Sequence, residues 1–235
     1  ELIEKPEVVA VFCGRFSPVA IEVAPLANRF GLLLLDPWAA ADSITRHPEP
    51  NFVFRLSLID TWAIDAMLKH VRKKGMKRVS LFVPNNAWGR SSEAAFIASV
   101  KRHGGPLYQT HWYNWGDTEF SERIGAALYG GAEGIVLVAN EAEGALFSQQ
   151  MAANPPARRL PIVSHWGIAG GDFAAAVGPA LNELDLTVVQ TFSFDKVSAD
   201  RRRAVDAGVR RLYGHGIEHL PAQVGFAHAY DLTYL

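Results

Sequence analysis

Short, mostly apolar runs alternate along this chain with longer stretches of mixed polarity. The runs fall at residues 8–13, 32–35, 52–55, 78–83, 107–113, 134–138, 160–163 and 186–194. The first has no polar face, the mark of a strand covered on both sides. The stretches between them predict helices at residues 18–29, 60–74, 91–103, 120–128, 142–152, 172–181, 198–213 and 225–235. Their ends carry helix punctuation. Asp60, Ser91 or Ser92, and Ser198 are candidate N-caps, and Gly75, Gly104-Gly105 and Gly130-Gly131 are stop signals. Pro155-Pro156 break another helix, and Pro25 predicts a kink or a late start in the first. Repeated strand–helix units of this kind give an α/β fold of mostly parallel sheets flanked by helices. Residues 46–58 and 192–197 are extended and aromatic-rich, and they are the candidate crossings between two lobes. The expected division is residues 1–57 with 196–235 in one lobe and residues 58–195 in the other.

The apolar runs also end alike. Leu32-Leu33-Leu34-Leu35 leads into Asp36-Pro37-Trp38, and the run ending at Val83 leads into Pro84-Asn85-Asn86-Ala87-Trp88-Gly89. The run ending at Val138 leads into Ala139-Asn140-Glu141, and the one ending at Val163 into Ser164-His165-Trp166-Gly167. Ligands of open α/β sheets bind beyond the carboxyl ends of the strands. Indoles and amides repeated there predict a binding cleft. Ser17 either caps the helix that follows it or holds a carboxylate together with nearby N–H groups. Trp38, Ala39 and Ala40 allow close backbone approach to a ligand or simply start a helix. Trp88 either stacks on a ligand or covers a lobe edge. Asn140, Glu141 and Glu143 receive a cationic or hydroxyl group or are solvated helix-start residues. His165 and Trp166 carry the same ambiguity.

Composition narrows the functions. The 235 residues contain 23 Lys plus Arg against 24 Asp plus Glu, so no strong field selects nucleic acid or an acidic membrane. Arg201-Arg202-Arg203 reads as the solvated face of a helix. The one cysteine, Cys13, rules out an internal disulfide and reads as a small buried hydrophobe. No stretch reaches the roughly 18 apolar residues of a membrane span, and no signal peptide is visible. The chain enters a strand almost at once and ends inside a helical pattern, so a piece of a longer protein is expected. There is no G-x-S-x-G elbow, no Walker P-loop and no G-x-G-x-x-G after the first strand. Gly167-Ile168-Ala169-Gly170-Gly171 is a weak candidate anion cradle. His215 and His219 have metal-ligand spacing, but Gly214, Gly216 and Pro221 argue for a loop there. A non-enzymatic chain with no metal and no cofactor is expected.

Several segments, in order and spacing, resemble one family. They are Cys13-Gly14-Arg15-Phe16-Ser17 with Ala24-Pro25-Leu26-Ala27, Pro37-Trp38-Ala39-Ala40-Ala41-Asp42-Ser43-Ile44-Thr45, Phe54-Arg55, Asn86-Ala87-Trp88-Gly89, Gly116-Asp117-Thr118-Glu119-Phe120-Ser121 and Ala229-Tyr230-Asp231. Together they resemble the extracellular solute-binding proteins of periplasmic-binding fold type I, in particular the branched-chain amino acid (leucine/isoleucine/valine-type) group of ABC importers. The resemblance implies two lobes that close by hinge motion on a small solute. It also implies a membrane permease as partner, no nucleic acid, a monomer or weak dimer, and a periplasmic or extracellular location. Ser17 and the backbone of Trp38, Ala39 and Ala40 match positions that hold an amino acid carboxylate. Trp88 matches an aromatic cover, and Asn140 a ligand contact on the other lobe. Where amino acid binders place a carboxylate for the ammonium, this chain has Ser164-His165-Trp166-Gly167. Either Glu141 or Glu143 replaces that charge, or the ligand is an aromatic or aliphatic carboxylate without an amine. The family's opening βαβ unit and closing segment are not in the chain. The alternative the resemblance leaves open is a ligand-sensing domain of a membrane receptor or transcription regulator.

Overall fold

A computed structural model describes residues 5–46 and 51–234. The chain's opening at 1–4, part of the first expected crossing at 47–50, and Leu235 at the end of the last expected helix lie outside the described residues. Strands β1 (Ala10–Phe12), β2 (Leu33–Asp36) and β3 (Val53–Arg55) form a parallel three-stranded sheet in that order. Helix α1 (Ser17–Phe30) lies on it through Ala20, Ala24 and Ala27, a stripe small enough for close contact with Leu34, Ile44 and Val53. Pro25 sits on the exposed face of α1, which continues through it to Gly31. Gly31, at φ 65°, closes the helix with its N–H on the Ala27 carbonyl.

The second sheet is parallel, five-stranded and ordered β5–β4–β6–β7–β8. Its strands are β4 (Arg78–Pro84), β5 (Leu107–Tyr113), β6 (Gly134–Leu137), β7 (Ile162–Ser164) and β8 (Leu186–Val188). On one face, helices α2 (Asp60–Lys73) and α3 (Ala87–His103) bury Ile64, Leu68 and Phe96 against Val79, Leu81 and Val136. On the other, α4 (Ser121–Tyr129), α5 (Glu141–Ala152) and α6 (Phe173–Val177) pack Ile124, Phe147 and Phe173 on Phe82, Ile135 and Leu137. After β8 come α7 (Ala199–Tyr213) and α8 (Gln223–Leu232), and α8 lies against β2 of the first sheet.

Four expectations change. β1 is partly exposed, with Phe12 at 49%, because among the described residues it is an edge strand bonded only to β2. The run at 186–194 forms a strand only at Leu186–Val188. Beyond Val189, Phe192 and Phe194 turn instead into a small core with Val209 and Ile217. α3 starts at Ala87 because the Asn86 side chain accepts from the N–H groups of Trp88 and Gly89, which leaves Ser91 and Ser92 inside the helix. α6 stops at Val177, where Gly178 (φ 63°) and Pro179 divert the chain into a 3₁₀ turn.

Candidate ligand-binding site

The floor of the site is the pair of loops that leave β1 and β2. Asp36, at the end of β2, is fully buried and accepts hydrogen bonds on Oδ1 from the N–H groups of Trp38 (2.9 Å) and Ala39 (2.8 Å). Its Oδ2 has no partner among the described residues. Burial pushes the Asp36 carboxyl up to about 7, against the pull of the two backbone N–H groups and of Arg55. Gly14 lies directly over it. At φ 122°, a Cβ there would come 2.2 Å from Asp36 Oδ1, so only glycine lets the two loops touch.

Ser17 does not cap α1, since Phe16 is the N-cap and makes no side-chain bond. Instead Ser17 Oγ accepts from the N–H groups of Ala40 (3.2 Å) and Ala41 (3.1 Å) and ties the loops together. Ser57 Oγ and Arg55 Nη1 hold the carbonyls of Ala39 and Ala41 from behind. The backbone donors at 38–40, expected to face a carboxylate, are therefore engaged within the loops. The hydroxyl proton of Ser17 has no acceptor among the described residues and remains available.

The opposite wall comes from the five-stranded sheet. Gly89 lets α3 turn tightly off β4, because a Cβ there would meet the Pro84 carbonyl at 1.8 Å. This places Trp88 over the sheet end, its Nε1 donating to Asp60 Oδ1 at 3.3 Å. Asp60 opens α2 but does not cap it; Ile59 is the N-cap. Its fully buried carboxyl group accepts on Oδ1 from Trp88 and from Ser92 Oγ (3.1 Å), and His165 Nε2 faces it at 3.5 Å without a hydrogen bond among the described residues. His165 Nδ1 accepts from the Gly167 N–H, which assigns the ring proton to Nε2, facing Asp60. Trp166 packs against His165, the rings tilted by 31° with centroids 3.8 Å apart, and donates from Nε1 to the Trp38 carbonyl, a direct bond between the two sides. Asn140 is the N-cap residue of α5, yet its side chain makes no cap bond.

These groups line one hollow, formed by Ser17, Trp38, Ala39, Ala40, Trp88, Asn140, His165 and Trp166, and also by Arg15, Phe16 and Trp115. It is narrow: about 10 Å³ of it admits the centre of a water molecule, which is room for one water. At its mouth Arg15 forms an ion pair with Glu141, and the Phe16 ring meets Trp115 at 5.2 Å. The site residues expected from the sequence thus converge, except Glu141, which stands at the rim. Glu143 is buried and accepts from the Gly116 N–H (3.0 Å). Sequence reasoning missed Trp115, although it follows β5 as the other indoles follow their strands. It also missed Asp60 as an organiser, which only three-dimensional proximity reveals.

Gly167–Gly171 is no anion cradle. Cβ atoms at Gly170 and Gly171 would fall 2.7 and 3.0 Å from atoms of the Glu141 side chain, so these glycines make room for a carboxylate. On the far side of Trp38 a more open, apolar groove of about 450 Å³ runs along Phe12, Val19, Ala222 and Gly225, with Arg15 as the one charged lining residue among the described residues. Near His215 and His219, Glu218 is paired with Arg210, and no metal-holding group of three or more His, Cys, Asp or Glu is found among the described residues.

Loops from the carboxyl ends of six strands on two parallel sheets, closing over one hollow, define a two-lobed small-molecule-binding protein. The chain belongs to the periplasmic binding protein family, which it matches over residues 1–230. That is a family of binding proteins rather than catalysts. The chain is 28% identical over 136 residues to Leu/Ile/Val-binding protein homolog 3 of Brucella melitensis, a match covering 57% of this chain and 36% of that protein. It superposes on a leucine-binding protein from Thermotoga maritima with a TM-score of 0.82 and 21% identity, covering 99% of this chain and 63% of that one. For a Streptococcus pneumoniae branched-chain amino acid binding protein in complex with isoleucine the values are 0.80, 22%, 99% and 64%. For a solute-binding protein of R. palustris in complex with 4-hydroxybenzoate they are 0.81, 19%, 100% and 62%. The chain therefore spans just under two thirds of these structures, and at such identities the likeness is one of fold.

Proposed function

We propose that this chain is the solute-binding part of an ABC importer and takes a small carboxylated solute between two lobes, residues 1–57 with 196–235 and residues 58–195. The observation that carries the reading is the convergence of Ser17, Asn140 and four indoles on one hollow between the two sheets. Ser17 offers a hydroxyl proton and Asn140 an amide. Trp38, Trp88 and Trp166 supply apolar walls for an alkyl or aromatic group. The hollow has room for one water, so a solute enters by parting the lobes at the Trp166–Trp38 bond and the Arg15–Glu141 and Phe16–Trp115 contacts. The relatives with bound isoleucine and 4-hydroxybenzoate support a small carboxylate. Delivery to a membrane permease and a periplasmic or extracellular location follow from this role, and no helix among the described residues is long and apolar enough to cross a membrane.

Isothermal titration with a panel of amino, aromatic and aliphatic acids tests the proposal. Saturable 1:1 binding of at least one acid, weakened in Trp88→Ala, is expected. Silence across the whole panel overturns it.

A further inference from the structure

The two carboxylates expected to receive an amine, Glu141 and Glu143, are both already engaged. Among the described residues, none that lines the hollow is acidic. Glu143 is buried with an oxygen on the Gly116 N–H. Asp36 lies under the floor on the Trp38 and Ala39 N–H groups, and Asp60 lies behind Trp88 and His165. Glu141 does reach the rim. A Cβ at Gly170 would touch Glu141 Oε2 at 2.7 Å and Trp38 Cζ2 at 3.3 Å, so this carboxylate flanks the indole that walls the hollow. Yet it is held by Arg15, whose guanidinium lies 5.3 Å from the Phe16 ring centroid at the mouth of the same hollow.

On the reading that this hollow is the solute site, we propose that the Arg15–Glu141 pair sets its charge preference: Arg15 withdraws the one carboxylate at the rim that an ammonium group could use, so the site selects carboxylic acids without an α-amino group over the matching amino acids. The pair is partly exposed, with side chains 53% and 25% accessible, and contributes little to stability. Its consequence is for the ligand. Closing the lobes over an ammonium strips its water, and with no free anion in reach that loss is not repaid. A carboxylate meets the reverse situation, with the Ser17 hydroxyl and the cationic Arg15 side chain both lining the same space. Asn140, with its amide oxygen and N–H groups, serves a neutral hydroxyl or carbonyl equally well and does not counter a cation.

Matched ligand pairs that differ only in the amine test this: leucine against 4-methylpentanoate, phenylalanine against 3-phenylpropionate, and phenylglycine against phenylacetate. Each is titrated into the wild type, Arg15→Gln, Glu141→Gln and the double variant, with circular dichroism as the check on folding. The wild type is expected to prefer the amine-free member by about 10- to 100-fold, the worth of one charge-assisted hydrogen bond. Arg15→Gln frees Glu141 and is expected to narrow that preference at least about tenfold, and adding Glu141→Gln is expected to restore it. Three results overturn the proposal: a wild type that binds the amino acid as tightly as its partner, an Arg15→Gln variant that weakens both members equally, or a preference unmoved by any variant. If none of the six compounds binds the wild type, the solute-site reading falls with it. Binding of the acids with an unmoved preference removes only the role of the Arg15–Glu141 pair.

Discussion

Asp36→Asn tests the floor of the cleft through its pH dependence. The Asp36 carboxyl is fully buried and is raised from 3.8 to about 7 in the folded chain. Between those values the folded state keeps a proton that the unfolded chain has released. Stability from this group is therefore unchanged below about pH 4, falls as pH rises through the window from about 4 to 7, and levels off above it. A shift of about three pH units at 1.36 kcal/mol each makes the penalty at pH 8 about 4 kcal/mol, an upper figure. Asparagine keeps the Oδ1 acceptor for the Trp38 and Ala39 N–H groups and cannot ionise. Urea unfolding of wild type and Asp36→Asn across this range is expected to give nearly equal stabilities at about pH 4 and a growing advantage for the variant, up to about 4 kcal/mol by pH 8. A difference independent of pH, or a variant that loses stability relative to wild type as pH rises, would refute the reasoning.

Three further outcomes follow from the contacts around the hollow. Gly14→Ala places a Cβ 2.2 Å from Asp36 Oδ1 at φ 122° and is expected to cost about 3 kcal/mol or more, read as a fall in melting temperature. Trp88→Phe removes the indole donor to the buried Asp60 carboxylate and is expected to cost about 1–3 kcal/mol in urea unfolding. Ser17→Ala removes the hydroxyl proton offered to the solute and leaves the Ala40 and Ala41 N–H groups without their acceptor, and a drop in acid affinity of about tenfold in calorimetric titration is expected.

The fold was largely legible because period and punctuation agree along most of the chain. β4, β6 and β7 are buried on both faces and read as unbroken apolar runs, and Ser198 caps α7 where its hydroxyl predicted. The run at 186–194 misled because an apolar stretch shows burial without showing whether a strand lies beside it. Phe194 is buried, and Phe192 partly buried, in a corner between helices. In the site, the expectation of residues beyond strand ends found three of the four indoles and Asn140, since parallel strands place their ends on one side. Partner choice was not legible. Asp36 draws in the N–H groups of Trp38 and Ala39, Ser17 those of Ala40 and Ala41, and Arg15 pairs with Glu141 across 126 residues of chain. Those bonds depend on side-chain direction, and the last on how the lobes meet, which no spacing rule encodes.

The central claim is that a small carboxylate occupies the space between Ser17, Asn140 and the four indoles. A crystal structure of the protein saturated with the tightest-binding acid of the panel tests it most directly. The account predicts the acid in that hollow, a carboxylate oxygen within hydrogen-bond reach of Ser17 Oγ, and its apolar part against Trp38, Trp88 and Trp166. An acid bound elsewhere, with the hollow closed and Trp166 still donating to the Trp38 carbonyl, would contradict it.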